Sequence, residues 1–187
     1  MGSLTQEQKS IIIGSLIGDG YLRIVQRRKD AFLEVNHSID EKDYVDWKYR
    51  KLKALVKSLP KQRKGNEGRI AYRFFTRQHP ELTELYRKFY RQGKKIVPKI
   101  KLDPLVIAVW FMDDGSKTYK TYYFNTQRFD WKSQQRLIEI LKTQYGIDCT
   151  LNRDKEYYRI RIKQNSAKRF RELIEKNIIP SMKYKLG

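Results

Sequence analysis

Two stretches of the chain are apolar at nearly every position over helical lengths. The first, ending IIGSLIGDG (Ile12–Gly20), follows Thr5-Gln6-Glu7-Gln8, whose Thr and Gln have the spacing of a capping box. The second, ending IAVWFMDDG (Ile107–Gly115), follows Asp103-Pro104, an N-cap acid with proline at the first helical position. Both predict helices that stop at glycine. Apolar on all sides, both belong at the centre of the fold, covered all round.

Between and after them the pattern changes period. Tyr21–Arg27 and Ala31–Asn36 predict a hairpin turning at Arg28-Lys29-Asp30, and Thr121–Gln127 is the extended counterpart in the second half. An amphipathic helix follows in each half. One covers Glu41–Ser58, with Tyr44, Trp47, Leu52, Leu55 and Val56 inward. The other covers Lys132–Tyr145, with Leu137, Ile138 and Leu141 inward; Ser38 and Asp130 are the expected caps. The linker PKQRKGNEGR leads into the strand IAYRFFTR, and CTLNRDKEYYRIRIKQN predicts a hairpin turning near Arg153-Asp154-Lys155. Helices over His79–Gln92 and Ser166–Lys176 close the halves. Helix, hairpin, helix, hairpin, helix thus occurs twice. The expectation is an α+β fold of two similar halves, 1–100 and 101–187, related by a pseudo-two-fold axis.

The strand faces carry charge. In YYRIRIK, Tyr158, Ile160 and Ile162 alternate with Arg159, Arg161 and Lys163; in RIAYRFFTR, Arg69, Arg73 and Arg77 oppose Tyr72, Phe74 and Thr76; Arg23 and Arg27 share a face of the first strand. Each sheet is expected to pack one face on helices and leave a cationic face open. With Asn125, Gln127 and Arg153, these are the candidate DNA-contacting residues. A strand ribbon of this kind fits the major groove, where Arg, Lys, Asn and Gln read base edges.

Composition narrows the partner. The 187 residues include 41 Lys+Arg against 21 Asp+Glu, a net charge of +20, with 13% aromatic and 40% hydrophobic residues. Such charge on a chain rich enough in apolar residues to fold points to nucleic acid. The longest apolar run, Leu105–Met112, is eight residues, so no membrane span is expected. One cysteine (Cys149) and two histidines (His37, His79) exclude a disulfide framework, a zinc finger and a Cys/His nucleophile pair. Any metal is held by carboxylates, which favours a hard cation such as Mg²⁺.

Asp19 and Asp114 each precede the closing glycine of a central helix. A carboxylate there faces the negative end of the helix dipole, and packing the helices together brings two like charges near each other. A compensating cation is required, and a divalent metal fits. Asp113 and its repeat equivalent Gly18 are the weaker candidates beside them. Gly14 and Gly18 permit close helix approach, while their equivalents Val109 and Asp113 are larger, so the helix interface is expected to be asymmetric.

These residues resemble the LAGLIDADG homing endonucleases. IIGSLIGDG and IAVWFMDDG fill the two motif positions, and WFMDDGSK, Asn125-Thr126-Gln127 and IIPSMKYKL are similar to the second half of the double-motif members; the likeness runs over about residues 5–186. The resemblance implies a monomer of two αββαββα halves gripping a long asymmetric DNA duplex with saddle-shaped antiparallel sheets and cutting both strands with Mg²⁺. It implies metal binding at Asp19 and Asp114, and assisting basic residues at Lys95 and Lys185. It points to an organelle-encoded protein of mitochondrion or chloroplast, with prokaryotic cytoplasm as the alternative. The other function classes are an intron RNA maturase or a DNA-binding protein on the same scaffold, and a structural ribosomal or chromatin protein. Only the last has no use for matched acids on apolar helices.

Overall fold

Thr5 opens helix α1 (Gln6–Ile17) with the expected capping box: its hydroxyl accepts from the Gln8 amide at 3.2 Å, and the Gln8 side chain accepts from the Thr5 amide at 3.0 Å. The computed structural model describes residues 2–65 and 68–187. After α1 come strands β1 (Tyr21–Arg23) and β2 (Phe32–Ser38), helix α2 (Lys42–Leu52), strands β3 (Lys61–Lys64) and β4 (Ile70–Phe75), and helix α3 (Pro80–Phe89). A short ladder, β5 (Tyr90–Arg91) with β6 (Lys94–Lys95), leads out of the first half.

The second half repeats the order. Helix α4 (Pro104–Asp114) is capped by Asp103, whose Oδ1 accepts from the Val106 amide at 2.8 Å. Strands β7 (Gly115–Lys117) and β8 (Tyr122–Phe124), helix α5 (Trp131–Tyr145), strands β9 (Cys149–Asp154) and β10 (Tyr157–Ile162), and helix α6 (Ala167–Ile174) follow, and a 3-10 helix over Pro180–Lys185 comes after them. Each half is therefore αββαββα. The sheets have matching antiparallel orders, β1-β2-β4-β3 and β7-β8-β10-β9.

Helices α1 and α4 lie against each other at the centre. Ile11, Ile12, Leu16 and Ile17 of α1 are buried, as is every residue from Val106 to Met112 of α4. A Cβ placed on Gly14 would lie 2.6 Å from the Val109 Cβ, and one on Gly18 would lie 2.3 Å from the Asp113 carboxylate. The asymmetric interface expected from the sequence is what forms: glycines on one helix receive larger side chains from the other.

Several boundaries differ from expectation. Strand β1 ends at Arg23, and Arg27 lies in the following loop with φ of 66°, so Arg23 and Arg27 do not share a strand face. Helix α2 ends at Leu52, short of Ser58, and α3 ends at Phe89, because Tyr90 is recruited into the β5–β6 ladder. The stretch read as a linker supplies a strand, Lys61–Lys64, at the sheet edge. It lacks apolar alternation because both its faces are exposed, and its Asn66 and Glu67 lie outside the described residues. Gly115–Lys117 is also a strand. Among the described residues no helix is long and apolar enough to cross a membrane.

Candidate active site

The C-terminal ends of α1 and α4 deliver Asp19 and Asp114 to one place. Asp19 is partly exposed and Asp114 is buried. A single nitrogen, Nη2 of Arg128, donates to Asp19 Oδ1 at 3.0 Å and to Asp114 Oδ2 at 2.7 Å. Burial first, and then the negative charge of Asp19, push the Asp114 carboxyl up to about 7, against the pull of Arg128. The proximity of like charges expected from the sequence is therefore present, and the cation that answers it is a side chain.

Two lysines flank the pair. Lys95, placed by the β5–β6 ladder, donates through Nζ to the carbonyls of Gly18 (3.1 Å) and Gly20 (2.7 Å). Lys185, placed by the 3-10 helix, donates to the carbonyls of Met112 and Asp113, the latter at 3.1 Å. Both cap the exposed carbonyls of a central helix, opposite charge against the dipole. Burial, followed by the charge of Arg128, lowers the Lys95 ammonium to about 8.

Asp113 is placed differently from its neighbour. Its Oδ1 accepts from Lys48 Nζ and from the Tyr44 hydroxyl, each at 2.7 Å, and its Oδ2 accepts from the Asp19 amide at 3.1 Å. Both oxygens are thus engaged inside the protein, and the second holds the Asp19 backbone amide. Gly18 contributes the space for that carboxylate, and its carbonyl is held by Lys95. Next to it His37, buried, pairs with Glu41 at 2.9 Å and approaches Lys48 Nζ at 3.4 Å.

Directly paired residues share a sheet face, so the strand registers sort the candidate DNA-contacting residues. On the first sheet Arg23 pairs Phe32, and Arg73 pairs both Asn36 and Lys61; all turn away from the buried Leu33, Val35, Tyr72 and Phe74. Glu34 shares this open face, within 3.4 Å of Arg23 and 3.6 Å of Arg73. On the second sheet Arg161 pairs Tyr123 and Thr150, and Arg159 pairs Asn152; both guanidinium groups lie over the Tyr123 ring. Gln127 donates to Asp154 at 2.8 Å, and the Asn125 amide donates to the Asp114 carbonyl at 2.9 Å. Arg69, Arg77 and Lys163 stand just beyond strand ends. Arg153 pairs Tyr158, on the face opposite Arg159 and Arg161, and is exposed near the end of its strand.

Sequence reading missed Arg128, Lys48 and Glu34. Lys48 carried a signal: it sits midway between Tyr44 and Leu52 at four-residue spacing, so the helix buries it with them. Glu34 lies in strict alternation with Leu33 and Val35. Arg128, in a loop, carried no local signal.

Asp19 and Asp114 bring carboxylate oxygens together, the donor type that a hard divalent cation takes.

Residues 9–170 match the LAGLIDADG DNA endonuclease family. The chain is 31% identical, over its whole length, to the cytochrome b mRNA maturase bI2 of Saccharomyces cerevisiae, and spans 49% of that protein. Over 98% of its length it is 30% identical to a probable intron-encoded endonuclease 1 of Wickerhamomyces canadensis, of which it covers 85%. Its fold superposes on that of the homing endonuclease I-WcaI bound to its DNA recognition sequence with a TM-score of 0.92 at 29% identity, covering all of this chain and 88% of that one.

Proposed function

The chain belongs to the LAGLIDADG DNA endonuclease family, and on that premise we propose that it is a site-specific endonuclease that hydrolyses both strands of a long, asymmetric DNA duplex and so starts intron mobility. The observation that carries this reading is the meeting of Asp19 and Asp114, one from each half, within reach of a single cation. One pseudo-symmetric acid per half matches one scissile phosphate per strand. A single chain carries both acids, so a monomer suffices.

Asp19 and Asp114 would hold Mg²⁺, with the backbone carbonyls of Gly18 and Asp113 adjoining; the ion, when bound, supplies Lewis acidity and an acidified water. Lys95 and Lys185 place one ammonium on each side of the pair, where they neutralise phosphate charge. With its ammonium lowered to about 8, Lys95 can also hold or release a proton at Nζ near neutral pH. Asp113, through the Asp19 amide, and Gly18, by leaving room for it, keep the first acid in position.

The open sheet faces supply the grip. Arg23 and Arg73 on one sheet and Arg159 and Arg161 on the other are positioned to reach base edges, with Asn125 and Gln127 beside them. Arg27, Arg69, Arg77 and Lys163, outside the ladders, suit phosphate contacts. We place the protein in mitochondrion or chloroplast, in keeping with kinship to an intron-encoded endonuclease.

The test is cleavage of a randomised duplex library with Mg²⁺, with Ca²⁺, EDTA and Asp19→Asn protein in parallel. One long sequence cut on both strands, by wild type and Mg²⁺ alone, is the expected result. Selective retention without cutting would reduce the role to DNA binding. The likeness to an mRNA maturase favours intron RNA as the second reading, and that reading takes over if the folded protein neither cuts nor selects DNA.

A further inference from the structure

Arg128 is the residue of this centre that the repeat does not supply. Tyr21, two residues after Asp19, pairs Glu34, and Ser116, two residues after Asp114, pairs Tyr123; counting five on from each partner puts Ile39 where the second half has Arg128. A single guanidinium therefore serves two acids. Its Nη2 donates to both, across the junction of α1 and α4, in the space that a cation shared by the two carboxylates would take.

The turn carrying Arg128 is fixed. Gln134, buried in α5, donates through Nε2 to the carbonyls of Thr126 (2.9 Å) and Phe129 (3.1 Å), on either side of Arg128, and to that of Tyr158 (3.2 Å). The Thr126 hydroxyl accepts from the Ile160 amide at 3.2 Å, and the Phe129 amide donates to the Thr126 carbonyl at 3.0 Å. The backbone is locked to the second sheet. The guanidinium itself is about one-third exposed, with side-chain accessibility of 35%, so it can leave the carboxylates without disturbing its own turn.

We infer that Arg128 is a built-in counter-cation of the catalytic centre, a positioning residue that holds Asp19 and Asp114 together in the DNA-free protein and competes with the divalent ion for them. A divalent ion binding both acids displaces the guanidinium, and the strength of that competition sets how much metal the free protein holds. The inference rests on Asp19 and Asp114 being the metal pair.

The experiment is calorimetric titration of DNA-free protein with Ca²⁺ alone. Four proteins are compared: wild type, Arg128→Ala, Arg128→Lys, and the double variant Asp19→Asn/Arg128→Ala. Arg128→Ala should bind Ca²⁺ at least about tenfold more tightly than wild type, a typical coupling between competing ligands, with Arg128→Lys between them. Thermal melts run alongside: Arg128→Ala should melt below wild type in EDTA and gain more from the same Ca²⁺ than wild type does, a difference that loss of a merely structural contact would not produce. Equal Ca²⁺ affinity in wild type and a folded Arg128→Ala would overturn the inference. If instead the double variant binds as tightly as Arg128→Ala, Asp19 is not a ligand and the underlying reading of the pair fails. Should Arg128→Ala not fold even with Ca²⁺ present, Arg128→Lys, which keeps the charge but loses the forked geometry, decides on the same titration.

Discussion

Lys48 and Asp113 form an ion pair closed to water on both sides: Nζ and Oδ1 are 2.7 Å apart and neither side chain has any exposed surface. The Lys48 ammonium also lies 4.3 Å from the centre of the Tyr44 ring, and the Tyr44 hydroxyl donates to the same Asp113 oxygen. Burial pushes the Asp113 carboxyl up, but the charges of Lys48 and His37 and the hydrogen bonds from Lys48 and Tyr44 outweigh it and hold the carboxyl below its usual range.

Removing one member strands the other. Lys48→Met is expected to cost about 3–5 kcal/mol in urea unfolding, the scale for an uncompensated buried charge. Lys48→Met/Asp113→Asn should cost less than the sum of its single variants by at least about 1 kcal/mol. Simple additivity would mean that the pair is not coupled.

Gly18→Ala places a methyl 2.3 Å from the Asp113 carboxylate oxygen and 2.5 Å from its Cβ. Neither neighbour can give way, since α4 backbone lies behind one and the Lys48 network behind the other. The variant should lose about 2 kcal/mol or more to overpacking and should lose cleavage with it, because the displaced carboxylate is the one that holds the Asp19 amide. Wild-type cleavage rates from Gly18→Ala would show that Asp19 does not depend on this support.

The raised Asp114 carboxyl sets a pH dependence. Its folded value of about 7 stands above its ordinary 3.8, so between those limits the folded state binds more protons than the unfolded chain. Metal-free stability therefore falls as pH rises from about 4 to about 7, and the penalty is constant above that. Asp114→Asn removes it. In EDTA at pH 8 that variant should be more stable than wild type by on the order of 1–3 kcal/mol, with the difference shrinking toward pH 4. Parallel melts at the two pH values check this, and a pH-independent difference would refute it.

Burial, and then Asp148, push the Cys149 thiol up to about 12. The thiolate is the reactive form, so iodoacetamide at pH 8 should label native protein at least about 100-fold more slowly than urea-unfolded protein. Mass spectrometry of timed samples reads the ratio directly.

The sequence made the central elements legible because their signals are local. Thr5 and Gln8 write one cap, Asp103-Pro104 the other, and unbroken apolar runs mark helices buried on every side. The two acids could be read through the repeat, whereas Lys95 and Lys185 came from the family resemblance. What stayed hidden depends on distant partners. Arg128 is one of 41 basic residues, and nothing in NTQRFD shows that it will cross to another helix. β3 has no apolar alternation because neither of its faces is buried. The shared face of Arg23 and Arg27 failed because β1 leaves its sheet after three residues.

The unequal seam between α1 and α4 bears on whether the halves can be exchanged. Two copies of the first half would set glycine against glycine, without the Val109 and Asp113 side chains that fill the seam. Two copies of the second would drive those same side chains into one another. The seam therefore ties each half to its unlike partner.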